Sequence, residues 1–181
     1  AAKEVTIPLA FSKCKSEHRY ENFEKAAHPS DKYVVQKFML FPFDDTDVYK
    51  TIEGASYMLQ SFPDKKLVNY IDSILTIVGK AQENDGYLYT ARTMNPTHPH
   101  PWSGEKRWQK AEELSHELYN LGHLLDAAVA HFQATGSRKF LDIARRYADC
   151  VVREVGPKAG QSCVVPGHQI AEMGLAKLYL A

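Results

Sequence analysis

Three short polar clusters carry side chains that could do chemistry: Asp44-Asp45-Thr46-Asp47, Ser115-His116-Glu117 and Pro166-Gly167-His168-Gln169. Each sits at the start of a stretch with helical periodicity. A helix start presents unpaired backbone N–H groups and partial positive charge. Carboxylates and imidazoles gathered at such ends suit the hydroxyl groups of a sugar. Each cluster also has a plain structural reading, the aspartates as helix caps and the histidines as satisfied structural side chains. His116-Glu117 begins like a zinc-protease helix, but that motif needs a histidine where this sequence has Asn120. His123 lies two helical turns from His116, too far along the helix to share a metal directly.

The segment 83–110 adds aromatic rings. It contains Asp85-Gly86-Tyr87-Leu88-Tyr89, then His98-Pro99-His100-Pro101-Trp102, then Trp108. A connection this long in a compact helical domain is usually functional or disordered. Tyr87, Trp102 and Trp108 could stack on sugar faces or simply pin the loop. His98 and His100 lack the carboxylate or thiolate company of a metal site. Cys14, Cys150 and Cys163 form no Cys-x-x-Cys pair. They read as free, mostly buried thiols rather than a zinc or redox motif.

The elements that must position these residues are helices. Leu67, Tyr70, Ile71, Ile74, Leu75 and Val78 recur at spacings of three and four. Asp64 is the expected N-cap, and the helix should end near Gln82, before Asn84-Asp85-Gly86. An earlier helix is expected through Val48, Ile52, Ala55 and Leu59, capped by Thr46 or Asp47. A third should run from about Ala111 to His131 on Leu114, Leu118, Leu121, Leu125, Ala128 and Phe132. Its other face, from His116 through Asn120, His123 and Ala127 to His131, reads as a solvated stripe or, at its start, a pocket wall. A fourth follows Gly136-Ser137 on Phe140, Leu141, Ala144, Ala148, Val151 and Val152, and stops at Gly156-Pro157. A fifth starts at Gly167-His168, and residues 8–27 also look helical. Tyr87 to Thr90 could be a short extended piece.

Short turns at 60–64 and 134–137 alternate with long loops at 83–110 and 156–166. This alternation predicts stacked helical hairpins. An acid followed by small residues recurs at Glu53-Gly54-Ala55-Ser56, Asp126-Ala127-Ala128 and Glu172-Met173-Gly174, which fits close approach of helices around an axis. If the hairpins stack in parallel, the three polar helix starts share one face. The last helix reaches Leu180-Ala181 without a stop signal, so a truncated assembly is expected.

Bulk properties are those of a soluble globular chain, with 44% hydrophobic and 24% charged residues among 181. The formal net charge of zero gives no reason to expect a nucleic-acid or anionic-membrane partner. Arg138-Lys139 and Arg145-Arg146 read as one solvated helix face. No apolar run approaches a membrane span, and Ala1-Ala2-Lys3-Glu4 does not read as a signal peptide.

Together, a set of ordered strings resembles one enzyme family. They are Val5-Thr6-Ile7-Pro8, Tyr20-Glu21-Asn22-Phe23, Asp44 through Lys50 with Glu53 through Tyr57, and Asp85-Gly86-Tyr87-Leu88. Then follow His100-Pro101-Trp102, Ser115 through Asn120, Gly122-His123, Ala127 through Gly136, and Pro166-Gly167-His168-Gln169. This pattern covers nearly the whole chain and resembles glycoside hydrolase family 127 and its relative family 146, with the His-Pro-Trp loop closer to family 146. The resemblance implies an all-α fold, with residues 1–181 forming the N-terminal part of an (α/α)6-barrel catalytic domain. It implies retaining hydrolysis of β-L-arabinofuranosides, with a zinc-bound cysteine thiolate as nucleophile and a glutamate as acid/base. Both, with the zinc ligands, are expected beyond residue 181. No catalytic residue or metal ligand is therefore assigned in this chain.

What the resemblance carries over is sugar contact by His116 and His168. Asp45, Asp47 and Tyr87 join them as weaker candidates by position. The expected partner is an L-arabinofuranoside-containing glycan, in a periplasmic or secreted setting. Alone, the chain is expected to be inactive and to self-associate through an open barrel edge. Two rivals stand beside this reading: an (α/α) barrel glycosidase for another sugar, and a non-enzymatic helical module that binds a glycan or peptide.

Overall fold

The computed structural model describes residues 1–181. Helices α1 (Ile7–Ser16) and α2 (Arg19–Ala26) precede two long hairpins. The first hairpin pairs α3 (Asp45–Ser61) with α4 (Lys65–Ala81). A four-residue α5 (Thr90–Thr93) punctuates the long loop. The second hairpin pairs α6 (Glu117–Thr135) with α7 (Lys139–Glu154), and α8 (Ile170–Leu180) closes the chain. No strand forms; the nearest thing is an isolated bridge between Val155 and Ser162.

Two layers result. Along α3 and α6, Lys50 meets Tyr119 and, further on, Glu53 lies in the field of Asp126. Along α6 and α8, Gly122 abuts Ile170 and Lys177 pairs with Asp126. Contacts that advance in step mean that α3, α6 and α8 run parallel, which makes them the inner layer. The outer layer is α4 and α7, running the other way; Lys139 binds Asp72 and Thr76, and Ile143 touches Gly79. This is the arrangement of hairpins in a segment of an (α/α)6 barrel.

Helix α6 sits at the centre, packed against α3, α7 and α8. Its sequence explains why. Leu118, Leu121, Leu124 and Leu125 are interleaved with Gly122, Ala127, Ala128 and Ala130, so it is apolar or small nearly all round. The expected solvated face is therefore largely dry, with Asn120, Ala127 and His131 all buried.

Several boundaries move. Residues 111–114 are turns and 115–116 irregular rather than helix, because His116 takes a left-handed backbone (φ 57°) and α6 starts after it. Residues 8–27 break in the same way at His18 (φ 59°). Helix α3 begins at Asp45 with Asp44 in the cap position, not Thr46 or Asp47. Helix α8 begins at Ile170. Asp64 caps α4 as expected, accepting from the N–H groups of Lys66 and Leu67. Val152 faces solvent rather than the core.

Candidate functional site

The parallel run of the inner helices gathers their beginnings. His116, just before α6, lies 5.1 Å ring to ring from His168, just before α8. Phe43, just before α3, lies 4.9 Å from His116. Tyr119 completes the group, at 4.8 Å from His168 and 4.5 Å from His123. Ala111, Glu113 and Gly167 share a small cleft with His116, Tyr119 and His168. His116 is half-buried and His168 exposed, so the imidazoles border solvent rather than a sealed core.

The polar atoms of this cluster are oriented. His116 Nδ1 lies 2.6 Å from the Leu114 carbonyl oxygen. A carbonyl only accepts, so Nδ1 carries the proton and Nε2 is the ring nitrogen left free. Lys50 Nζ donates to the Tyr119 hydroxyl at 2.6 Å. His123 is held uncharged: burial first, then the positive charges of Lys50, His168 and Lys177, lower its pKa from 6.5 to about 4. Imidazole nitrogens, a phenol and an ammonium at one opening can donate to and accept from hydroxyl groups.

The other candidates lie elsewhere. Asp45 is buried, accepting from the Thr90 N–H at 2.9 Å and the Thr90 hydroxyl at 2.6 Å. Burial lifts its pKa to about 7 despite those bonds. Its carboxyl anchors the long loop to α3 and does not face the cleft, which corrects the expected sugar contact. Tyr87 is corrected in the same way. It has no exposed surface, its hydroxyl donates to Glu117 at 2.6 Å, and its ring packs edge-on to Trp108 and Tyr147. Asp47 is exposed but tied to Arg19, whose guanidinium also grips buried Asp44. The structure thus brings His116 and His168 together and leaves Asp47 near the rim, one turn from Lys50.

Sequence reasoning passed over Phe43, Lys50 and Tyr119. A signal existed: His116, Tyr119 and His123 follow the three- and four-residue spacing of one helix face. It also passed over Glu117 as the buried hub behind the cleft. Glu117 accepts from the Tyr87 hydroxyl, the Ser115 hydroxyl at 2.8 Å and the Trp108 N–H at 3.0 Å. Burial raises its pKa against the pull of these donors.

The thiols are free, with Cys14 and Cys150 buried and Cys163 exposed. Asp85, Cys150 and Glu154 lie close enough together to suggest a metal site. The group does not fit zinc. Arg107 already fills it, bonding Asp85 at 2.6 Å and Glu154 at 2.9 Å. Burial and neighbouring carboxylates push the Cys150 thiol up to about 12, the opposite of what a thiolate ligand needs.

Across residues 1–181 the chain matches the family described as β-L-arabinofuranosidase, GH127 catalytic domain. The chain belongs to this family. It is 36% identical over 162 residues to the non-reducing end β-L-arabinofuranosidase of Bifidobacterium longum, covering 90% of this chain and 23% of that protein. A solved GH127 β-arabinofuranosidase superimposes with a TM-score of 0.96 at 69% identity, over 99% of this chain and 28% of that one. The GH127 β-L-arabinofuranosidase of Geobacillus stearothermophilus T6 gives 0.84 at 35% identity, over 99% of this chain and 27% of that one. The family 127 chain thus spans about a quarter of the length of these relatives.

Proposed function

We propose that these 181 residues supply one wall of the sugar-binding site of a retaining β-L-arabinofuranosidase. The observation that carries the reading is the convergence of His116 and His168, 5.1 Å apart, at a small surface cleft shared with Tyr119, with the Phe43 ring against His116. The free Nε2 of His116 and the His168 ring hydrogen-bond the hydroxyls of a terminal arabinofuranose, and Lys50 fixes the Tyr119 hydroxyl beside them. Binding and orienting the sugar is the contribution of this chain. Nucleophile, acid/base and zinc are assigned to parts of the enzyme outside these residues, so this chain alone is proposed to be inactive. A periplasmic or secreted setting and a closer kinship with family 146 belong to the same proposal, the latter supported by the His100-Pro101-Trp102 loop.

Titration of the chain with L-arabinose and arabinofuranosyl oligosaccharides, followed through the histidine ring resonances, tests the proposal. Binding should shift the rings of His116 and His168. His116→Ala and His168→Ala should each weaken it roughly 5- to 100-fold, the worth of one or two polar contacts. Sugar binding unchanged in both variants would defeat the reading. Incubation with an aryl β-L-arabinofuranoside should give no turnover, and clear turnover would show that the chemistry does not need residues elsewhere.

A further inference from the structure

The histidine cleft does not end at Phe43. Phe43 stacks on Phe41 with ring centres 5.0 Å apart and planes within 8°. Phe41 in turn meets Trp102 at 5.8 Å. A continuous line of rings therefore leads from His116 out to Trp102. The two phenylalanines spend their faces on each other and on their neighbours, but the Trp102 side is open, with 37% of the residue exposed.

Trp102 is held, not loose. It sits in a 3-10 turn, Pro101–Ser103, whose cap is the buried His100. His100 Nδ1 accepts from the Trp102 N–H at 3.2 Å, and its Nε2 donates to the Leu40 carbonyl at 3.2 Å, one residue before Phe41. One imidazole thus fixes both strips of chain that carry the ring line. The Ser103 carbonyl is clamped by Arg92 at 2.8 Å. A chain that anchors an indole this firmly while leaving it wet has prepared a flat apolar surface for something. Exposed, rigid aromatic surface of this kind suits ligands with one apolar face and polar edges.

We propose that Trp102 is the platform for the second sugar of the glycan, the residue to which the terminal arabinofuranose is attached. The inference rests on the proposed sugar site at His116 and His168 and extends it outward. Two features favour a sugar here over another partner. The ring line is continuous with the proposed pocket, and the indole at its open end is fixed in place by His100. In this reading His116 and His168 select the terminal residue, and Trp102 selects for a glycan over a free monosaccharide.

The chain has only two tryptophans, and Trp108 is buried, so the quenchable emission reports Trp102. An arabinofuranosyl disaccharide should bind more tightly than L-arabinose and shield Trp102 from acrylamide. Trp102→Ala should weaken disaccharide binding roughly 3- to 10-fold, the scale of one aromatic contact, and leave L-arabinose binding unchanged. Trp102→Tyr should recover most of the loss. Unchanged L-arabinose binding also shows that the variants are folded. Equal affinity for the two sugars, or a disaccharide affinity indifferent to Trp102→Ala, would overturn the platform while the histidine site stands. Failure of both sugars to bind the parent chain would overturn both readings.

Discussion

Glu117 shows how little freedom the residues behind the cleft have. Its carboxylate meets only donors: the Tyr87 and Ser115 hydroxyls and the Trp108 N–H. Glu117→Gln would put an amide NH2 against at least one of them. Leaving a buried donor unpaired costs about 1–3 kcal/mol, so the variant should lose that much stability and unfold at a lower urea midpoint. A midpoint equal to the parent's would show that the web carries no net stability. Two other groups, half-buried His123 and buried Asp45, titrate in opposite senses. His123 has a folded pKa of about 4 against an ordinary 6.5, so its neutral form is favoured by folding and stability falls as pH drops through that window. Asp45 has a folded pKa of about 7 against 3.8, so its protonated form is favoured and stability is lost as pH rises through nearly the same window. The two slopes offset. Asp45→Asn removes one of them, and its stability should fall more steeply than the parent's from pH 7 to pH 4, by up to about 1.4 kcal/mol per unit. Denaturation curves at three pH values would show it, and parallel parent and variant curves would refute it.

At the level of helices, the hairpins were legible in the sequence because their signals are local. Asp64 as a cap, the apolar rhythm of Ile71, Ile74, Leu75 and Val78, and the Gly136 turn all act within a few residues. The start of α6 was not legible, because the turn before it is set by distant partners. Ser115 is held by Glu117 and by the hydroxyl of Tyr89, and Trp108 packs against Tyr87. For the same reason Asp45 and Tyr87 read as surface groups although the fold buries them: Thr90 and Glu117, which claim their polar atoms, lie 45 and 30 residues away. His116 and His168 could be paired in advance only through the expected parallel stacking of the hairpins and the family resemblance, since nothing local links them. Their approach depends on α6 and α8 touching backbone to backbone. A Cβ on Gly122 would lie 2.5 Å from the Ile170 carbonyl, and one on Gly174 would lie 2.9 Å from the Gly122 oxygen. Gly122→Ala must push α8 away, at roughly 1–3 kcal/mol for overpacking. It should also weaken sugar binding by displacing His168. A folded Gly122→Ala protein with parent affinity would mean that the spacing of α6 and α8 is not what sets the cleft.

Taken whole, the molecule leaves apolar side chains of its last helix open to solvent. On α8, Met173, Tyr179 and Leu180 are 54%, 89% and 82% exposed, a concentration of apolar surface that isolated chains rarely leave wet. Sedimentation of the 181-residue chain should therefore show association that grows with concentration. The double substitution Tyr179→Lys and Leu180→Glu should shift it toward monomer. Monomeric behaviour of the parent chain at all concentrations would refute this.

The left-handed turn at His116 bears on how such a residue persists. For a residue with a Cβ, that backbone geometry carries a penalty of roughly 1–2 kcal/mol, and glycine would escape it. That penalty goes into aiming the imidazole, whose Nδ1 is held by the Leu114 carbonyl and whose Nε2 is left to the cleft.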